Sequence, residues 1–110
     1  MDFPYLVNKL KSMEGLPDVY ICGNDWTAIQ VMHAIQFLGH RIPEEVAFVG
    51  FDDINQSAKC NPPLTTIHTP KEQLGIAAAN CLLTRIRAPK TPCVFSQYST
   101  ELIIRESTDI

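Results

Sequence analysis

This 110-residue chain has no apolar run long enough to span a membrane. Met1-Asp2-Phe3-Pro4 lacks the basic stretch and apolar core of an export signal, so a cytoplasmic setting is expected. Its four cysteines, Cys22, Cys60, Cys81 and Cys93, include no C-x-x-C pair, which removes the usual zinc and redox motifs. Cys22 and Cys81 sit in apolar patterns and read as small core residues. His33, His40 and His68 are not spaced as metal ligands and read as ordinary surface or capping histidines, so no metal is expected. The net charge of −3 gives no attraction to nucleic acid or to an anionic membrane. Arg85, Arg87 and Lys90 are close together, but cations are favoured at a helix C-terminus in any case. There is no G-x-S-x-G, no phosphate loop and no dinucleotide fingerprint. Without a nucleophile or a cofactor motif, no cofactor and no enzymatic activity are expected, and binding is favoured over catalysis.

What is present is an ordinary globular chain, 45% apolar, of a size for one domain at most or part of a larger one. Tyr5, Leu6, Leu10 and Met13 predict a short amphipathic helix, stopped at Gly15 and Pro17. A strand over 19–22 follows. A helix over 25–38 comes next, with Ala28, Val31, Ile35 and Leu38 on its apolar face and Gly39 as its stop. The turn Arg41–Glu45 leads into a strand over 46–50. Residues 54–63 read as irregular with about one helical turn, and Pro62-Pro63 leads into a strand over 64–67. Thr69 as N-cap, Pro70 as first helical residue and Glu72 as the closing acid predict a capping box for a helix over 70–86. Leu74, Ala77, Ala78, Cys81, Leu82 and Ile86 are its expected buried face. A last strand is read over 101–105, and Glu106–Asp109 as a polar tail. Helices alternating with strands on this scale predict an α/β, doubly wound sheet.

Two strand ends carry the chemistry. Val19-Tyr20-Ile21-Cys22-Gly23-Asn24-Asp25 and Val46-Ala47-Phe48-Val49-Gly50-Phe51-Asp52-Asp53 each run from β-formers through glycine into short polar side chains. Open α/β sheets bind ligands where strand carboxyl ends meet loops, so the two ends are read as lining one cleft. If the backbone is extended at Asp52-Asp53, the two carboxylates point to opposite sides, one toward a ligand and the other into a turn. Asn24 and Asp25 invite the same split, one capping the helix and the other facing the cleft. Carboxylate and amide groups are good readers of hydroxyls. Trp26, the only tryptophan, borders the cleft and is suited to stacking. Caps, turn formers and packing explain the same residues equally well from local pattern alone.

At this point the residues resemble a family. Residues 20–29, with Asn24-Asp25 and Ala28, resemble the "ND-x-x-A" segment of LacI/GalR-type bacterial transcriptional regulators. Leu38–Val46 resembles their "G-x-x-(I/V)-P-x-(D/E)-(V/I)" turn, and Val49–Ile54, Pro62–Ile67 and Arg105–Thr108 resemble further segments in the family's order and spacing. The likeness runs from about residue 15 to 108. It implies a periplasmic-binding-protein-like I fold, a mostly parallel sheet with flanking helices, here as a partial domain. Residues 1–110 would be the C-terminal portion of an effector-binding and dimerisation domain, without the DNA-binding helix-turn-helix. It implies a ligand-responsive regulator, a repressor, that binds a small sugar- or nucleoside-like effector, forms homodimers and contacts operator DNA only through that other domain. By position, Asn24 and Asp52 match effector-binding residues, with Trp26 and Lys71 beside the pocket. The chain would cross between subdomains near Ile67–Lys71 and again near Ser99. A sugar-binding protein of a transport system shares the fold and is the alternative; Asp53 and the Arg105-Glu106-Ser107-Thr108 ending favour the regulators.

Overall fold

A computed structural model describes residues 2–110. The chain runs α1 (Phe3–Lys11), β1 (Val19–Ile21), α2 (Asp25–Phe37), β2 (Ala47–Val49), β3 (Thr66–His68), α3 (Lys71–Arg87) and β4 (Glu101–Ile103). Short 3-10 turns fall at Asn55–Ala58 and Glu106–Thr108. Two compact units result, one comprising residues up to His68 with Leu102–Ile110, the other Thr69–Glu101.

The first unit carries the core. β1 and β2 are parallel, with Val19 opposite Ala47, Tyr20 opposite Phe48 and Ile21 opposite Val49. Parallel bridges Val49–Thr65 and Asp52–His68 extend the alignment beyond β2 toward β3, and β4 pairs with β3. Phe48, Val46 and Leu64 are fully buried against Met32, Ile35 and Ala28 of α2. The apolar face of α2 is wider than the periodicity predicts, because Ile29, Met32 and Ala34 are buried too, while Leu38 is only half-buried. The cause is that α2 is packed from two sides, by the strands and by Leu6, Val7 and Leu10 of α1. Gly39, at φ +90°, ends α2 in a Schellman arrangement, with its N–H donating to Gln36 O and that of His40 to Ile35 O.

The expected polar tail is instead a structural element. Ser107, fully buried, donates to Phe48 O at 2.6 Å and accepts from Thr65 N at 2.8 Å. A hydroxyl with both capacities in use ties the last turn to two strands.

The second unit holds α3 and the loop that follows. Three expectations fail here. The helix starts at Lys71 with Pro70 as the cap, and no side chain closes a capping box. Pro70 has ψ 70°, outside the helical region, which pushes the start one residue on and puts Thr69 out of register with the first turn. No residue of α3 is buried: Leu74, Leu82 and Ile86 are exposed, and so is Cys81. The apolar face exists in the sequence, but nothing among the described residues covers it.

Candidate functional site

Both strand ends of the first unit are held by one carboxylate. Asp25 opens α2 and is completely buried. Its backbone N–H donates to Phe51 O at 2.9 Å, joining the two polar loops directly. Its Oδ1 accepts from Thr66 Oγ1 at 2.6 Å. Its Oδ2 accepts from Ser57 Oγ at 2.5 Å and from Ile54 N at 3.0 Å. One buried group thus links the α2 N-terminus, the loop after β2, the first 3-10 turn and β3. A negative charge is favourable at a helix N-terminus, and charge-assisted hydrogen bonds are about twice as strong as neutral ones. Gly50 leaves the room: a β-carbon there would overlap Asp25 Oδ1 and come within 2.9 Å of Leu64 Cδ2. Burial pushes the Cys22 thiol up, and the Asp25 carboxylate pushes it further.

The loop after β2 is not extended. Asp52 has φ +110° and Asp53 φ +53°, so the opposite-side argument for these neighbours does not apply. Non-glycine residues at positive φ persist only where their surroundings fix them, at a cost of about 1–3 kcal/mol each. Here Asp52 N donates to Ile67 O at 3.0 Å, and Asp53 N points to Thr66 Oγ1 at 3.4 Å. The Asp53 side chain then takes a double anchor. Arg105 donates to its Oδ1 at 2.8 Å, and His68 Nδ1 lies 2.8 Å from its Oδ2. The other arm of Arg105 donates to Leu64 O at 2.9 Å. His68 is therefore a hydrogen-bond partner of Asp53 rather than a simple surface histidine.

Partial burial pushes the Asp53 carboxyl up, but hydrogen bonds from Arg105 and His68 outweigh it and hold the group below its usual range. A depressed carboxylate stabilises the fold in full above the ordinary Asp value of about 3.9 and loses that contribution as pH falls through the lower folded value. Asp53→Asn is accordingly expected to cost about 1–2 kcal/mol near neutral pH. The gap to the native protein should close below about pH 4. Urea midpoints of both proteins across that range check this; a gap independent of pH would mean that shape, not charge, sets the role of Asp53.

The first unit holds three of the four residues expected at an effector site. Asn24 is exposed, and its Oδ1 caps α2 by accepting from Thr27 N at 2.8 Å. The expected split between Asn24 and Asp25 is corrected: Asn24 caps, and Asp25 turns into the core rather than toward a cleft. Trp26 stands 55% exposed in the first turn of α2. Asp52 is half-buried on the neighbouring loop. Phe51, 40% exposed, adds a second aromatic that the sequence did not single out. Lys71 belongs to the second unit, as the first residue of α3, with its Nζ 3.5 Å from Thr69 Oγ1. Ser57 drew no expectation, and Thr66 and Ser107 entered only as members of family segments, with no buried role. Isolated hydroxyls in polar segments carry no periodic signal, and only the Thr65-Thr66 pair inside an apolar run hinted at buried partners.

Comparison with known proteins identifies the domain. Residues 2–108 match the model of the periplasmic binding protein-like domain. The chain is 43% identical over 106 residues to the HTH-type transcriptional repressor PurR of Haemophilus influenzae, covering 92% of this chain and 31% of that protein. Its identity to the PurR of Aliivibrio salmonicida is 38% over 101 residues, with 92% and 30% covered. Among solved structures, the lac repressor dimer bound to operator and the anti-inducer ONPF superposes with a TM-score of 0.82 at 27% identity, covering 96% of this chain and 32% of that one. A LacI family regulator from Enterococcus faecium with bound ribose gives 0.82 at 27%, with 96% and 38% covered. The chain thus spans about a third of the length of the relatives it matches. The matched domain and these likenesses give one conclusion: the chain belongs to the periplasmic binding protein-like domain family.

Proposed function

We propose that the full-length protein is a ligand-responsive transcriptional repressor in which this segment forms one wall of the effector cleft. The observation that carries the reading is the juxtaposition of two parallel strand ends, joined by Asp25 N–H to Phe51 O, that present Asn24, Trp26, Phe51 and Asp52 around a rigid frame. A carboxylate and an amide beside exposed aromatic rings suit a polyhydroxylated ring or a nucleoside: hydroxyls meet the polar groups and a ring face meets the indole. The ribose held by the Enterococcus faecium regulator supports the sugar class, and the PurR likeness supports the repressor role. Lys71, in the second unit, is proposed as an effector-contacting residue on its position in the family pattern alone. The dimeric lac repressor supports a homodimer in which this segment takes part. Operator recognition is assigned to a helix-turn-helix segment outside these residues.

Calorimetric titration of the full-length protein with a panel of sugars and nucleosides tests the reading. Asp52→Ala is expected to weaken binding of the panel member that binds by about 10–100-fold, the equivalent of one charge-assisted hydrogen bond of about 1.5–3 kcal/mol, with circular dichroism unchanged. Unchanged affinity in a folded variant would assign Asp52 to the turn alone. If no panel member binds or alters operator affinity, the effector class is wrong.

A further inference from the structure

The chain leaves the first unit after His68, the last residue of β3, and re-enters it at Leu102, within β4. These two passages are the covalent links of Thr69–Glu101 to the first unit. One carboxylate is bonded beside each of them. Asp53 Oδ2 lies 2.8 Å from His68 Nδ1, at the exit. Asp53 Oδ1 accepts from Arg105, two residues past β4, at 2.8 Å. A carboxylate only accepts, so His68 Nδ1 carries the proton of that bond. The passages are also bonded to each other: Arg105 N donates to Thr65 Oγ1, just ahead of β3, at 2.8 Å. The Asp53 and Arg105 side chains are only 17% and 19% exposed, so solvent screens the pair in part. Asp53 itself stands at φ +53°, directly after Asp52 at φ +110°. Strained backbone held by its surroundings is a recurring property of ligand clamps and switch regions. The backbone of Asp52 has its own support, the bond from its N–H to Ile67 O at 3.0 Å and the parallel bridge to His68. Loss of the Asp53 carboxylate therefore leaves Asp52 in place and releases the passages.

We propose that Asp53 is a positioning residue for the response to effector: it contacts no effector itself, and its carboxylate carries the occupancy of Asp52 to both chain passages at once. The inference rests on the reading of Asp52 as an effector contact. An effector shifts a conformational equilibrium only through its different interaction with the two states, so a group can be needed for the response without being needed for binding. A movement of the Asp52-Asp53 loop draws His68 and Arg105 together, because the two oxygens belong to one planar group. Without that group the effector binds and the passages do not follow.

The test uses the full-length protein and the sugar or nucleoside that binds it in calorimetry. Operator affinity is measured by fluorescence anisotropy at one fixed salt concentration, with and without saturating ligand. In the native protein the ligand is expected to change operator affinity by about 5–150-fold. Asp53→Asn, close in shape but uncharged, is expected to bind the ligand within about threefold of the native affinity and to reduce that change to about threefold or less. His68→Ala cuts one of the two ties at an exposed side chain, with little risk to folding, and should give an intermediate response. His68→Gln, which keeps an N–H donor, should recover most of it. A full response in Asp53→Asn or in His68→Ala overturns the proposal. So does a loss of ligand affinity as large as the loss of response, which would make Asp53 part of the binding site or of the fold alone. A native protein that binds no panel member, or whose operator affinity none of them alters, instead removes the effector reading and this inference with it.

Discussion

Asp25→Ala is expected to lower the stability of the full-length protein by about 3–5 kcal/mol, a large part of what a domain of this size holds. The substitution removes one side chain and strands three donors: Ser57 Oγ, Thr66 Oγ1 and Ile54 N. Each unpaired buried donor costs about 1–3 kcal/mol, partly recovered if water enters. Asp25→Asn distinguishes charge from connectivity. An amide oxygen at the Oδ2 position keeps Ile54 N and Ser57 satisfied, while the NH2 meets Thr66 Oγ1, whose hydroxyl can rotate to accept. The cost should therefore be smaller, about 1–2 kcal/mol. Urea unfolding of the three proteins measures this. Equal stability of Asp25→Ala and the native chain would mean that the network contributes nothing net.

Gly50→Ala should be nearly as damaging, at about 3 kcal/mol or more, although it adds only a methyl group. The new carbon would occupy space taken by the Asp25 carboxylate and crowd Leu64. Neither neighbour can give way cheaply. Asp25 is fixed by its hydrogen bonds, and Leu64 is completely buried. Gly50 itself donates to Thr65 O, so the strand cannot slide without losing a ladder bond. The pair of variants forms a cycle: in Asp25→Ala the space beside residue 50 is open, so Gly50→Ala should cost far less there. Strictly additive losses would show that the methyl acts on something other than Asp25.

The sequence was informative wherever one local rule acted alone. Glycine after a β-rich run marked both strand ends, and the stop of α2 at Gly39 followed from its backbone freedom. The parallel pairing of β1 with β2 followed from alternation of elements. Local rules misplaced what depends on distant partners. A periodic pattern codes aspartate as solvent-facing, so Asp25 could not be read as the most connected buried group; its partners lie up to 41 residues away. The same blindness hid Ser107, whose contacts with Phe48 and Thr65 make a terminal turn out of an apparent tail. On α3 the pattern was correct as chemistry and unrealised as packing: apolar periodicity states that a face wants cover, not that cover lies within the same stretch of chain. That Asn24, Trp26 and Asp52 fall just past the two strand ends was legible. The positive φ angles that aim the Asp52-Asp53 loop were not, since aspartate tolerates that region without announcing it.

The adjacency of Asn24 and Asp25 has an evolutionary consequence. One residue is locked into the interior and its neighbour stands at the surface, a change of environment made across a single peptide bond. Exposed side chains away from special contacts change at a cost within about 0.5 kcal/mol, whereas interior networks do not. On the proposed reading, Trp26 and Phe51 can be exchanged at little cost to the frame, so the ligand can change while the loops stay held. Removing the Asp25 carboxylate strands Ser57 Oγ, Thr66 Oγ1 and Ile54 N together, so this position is far less free to change. On that reading, diversity in what is bound and constancy in how the loops are held follow from this one placement.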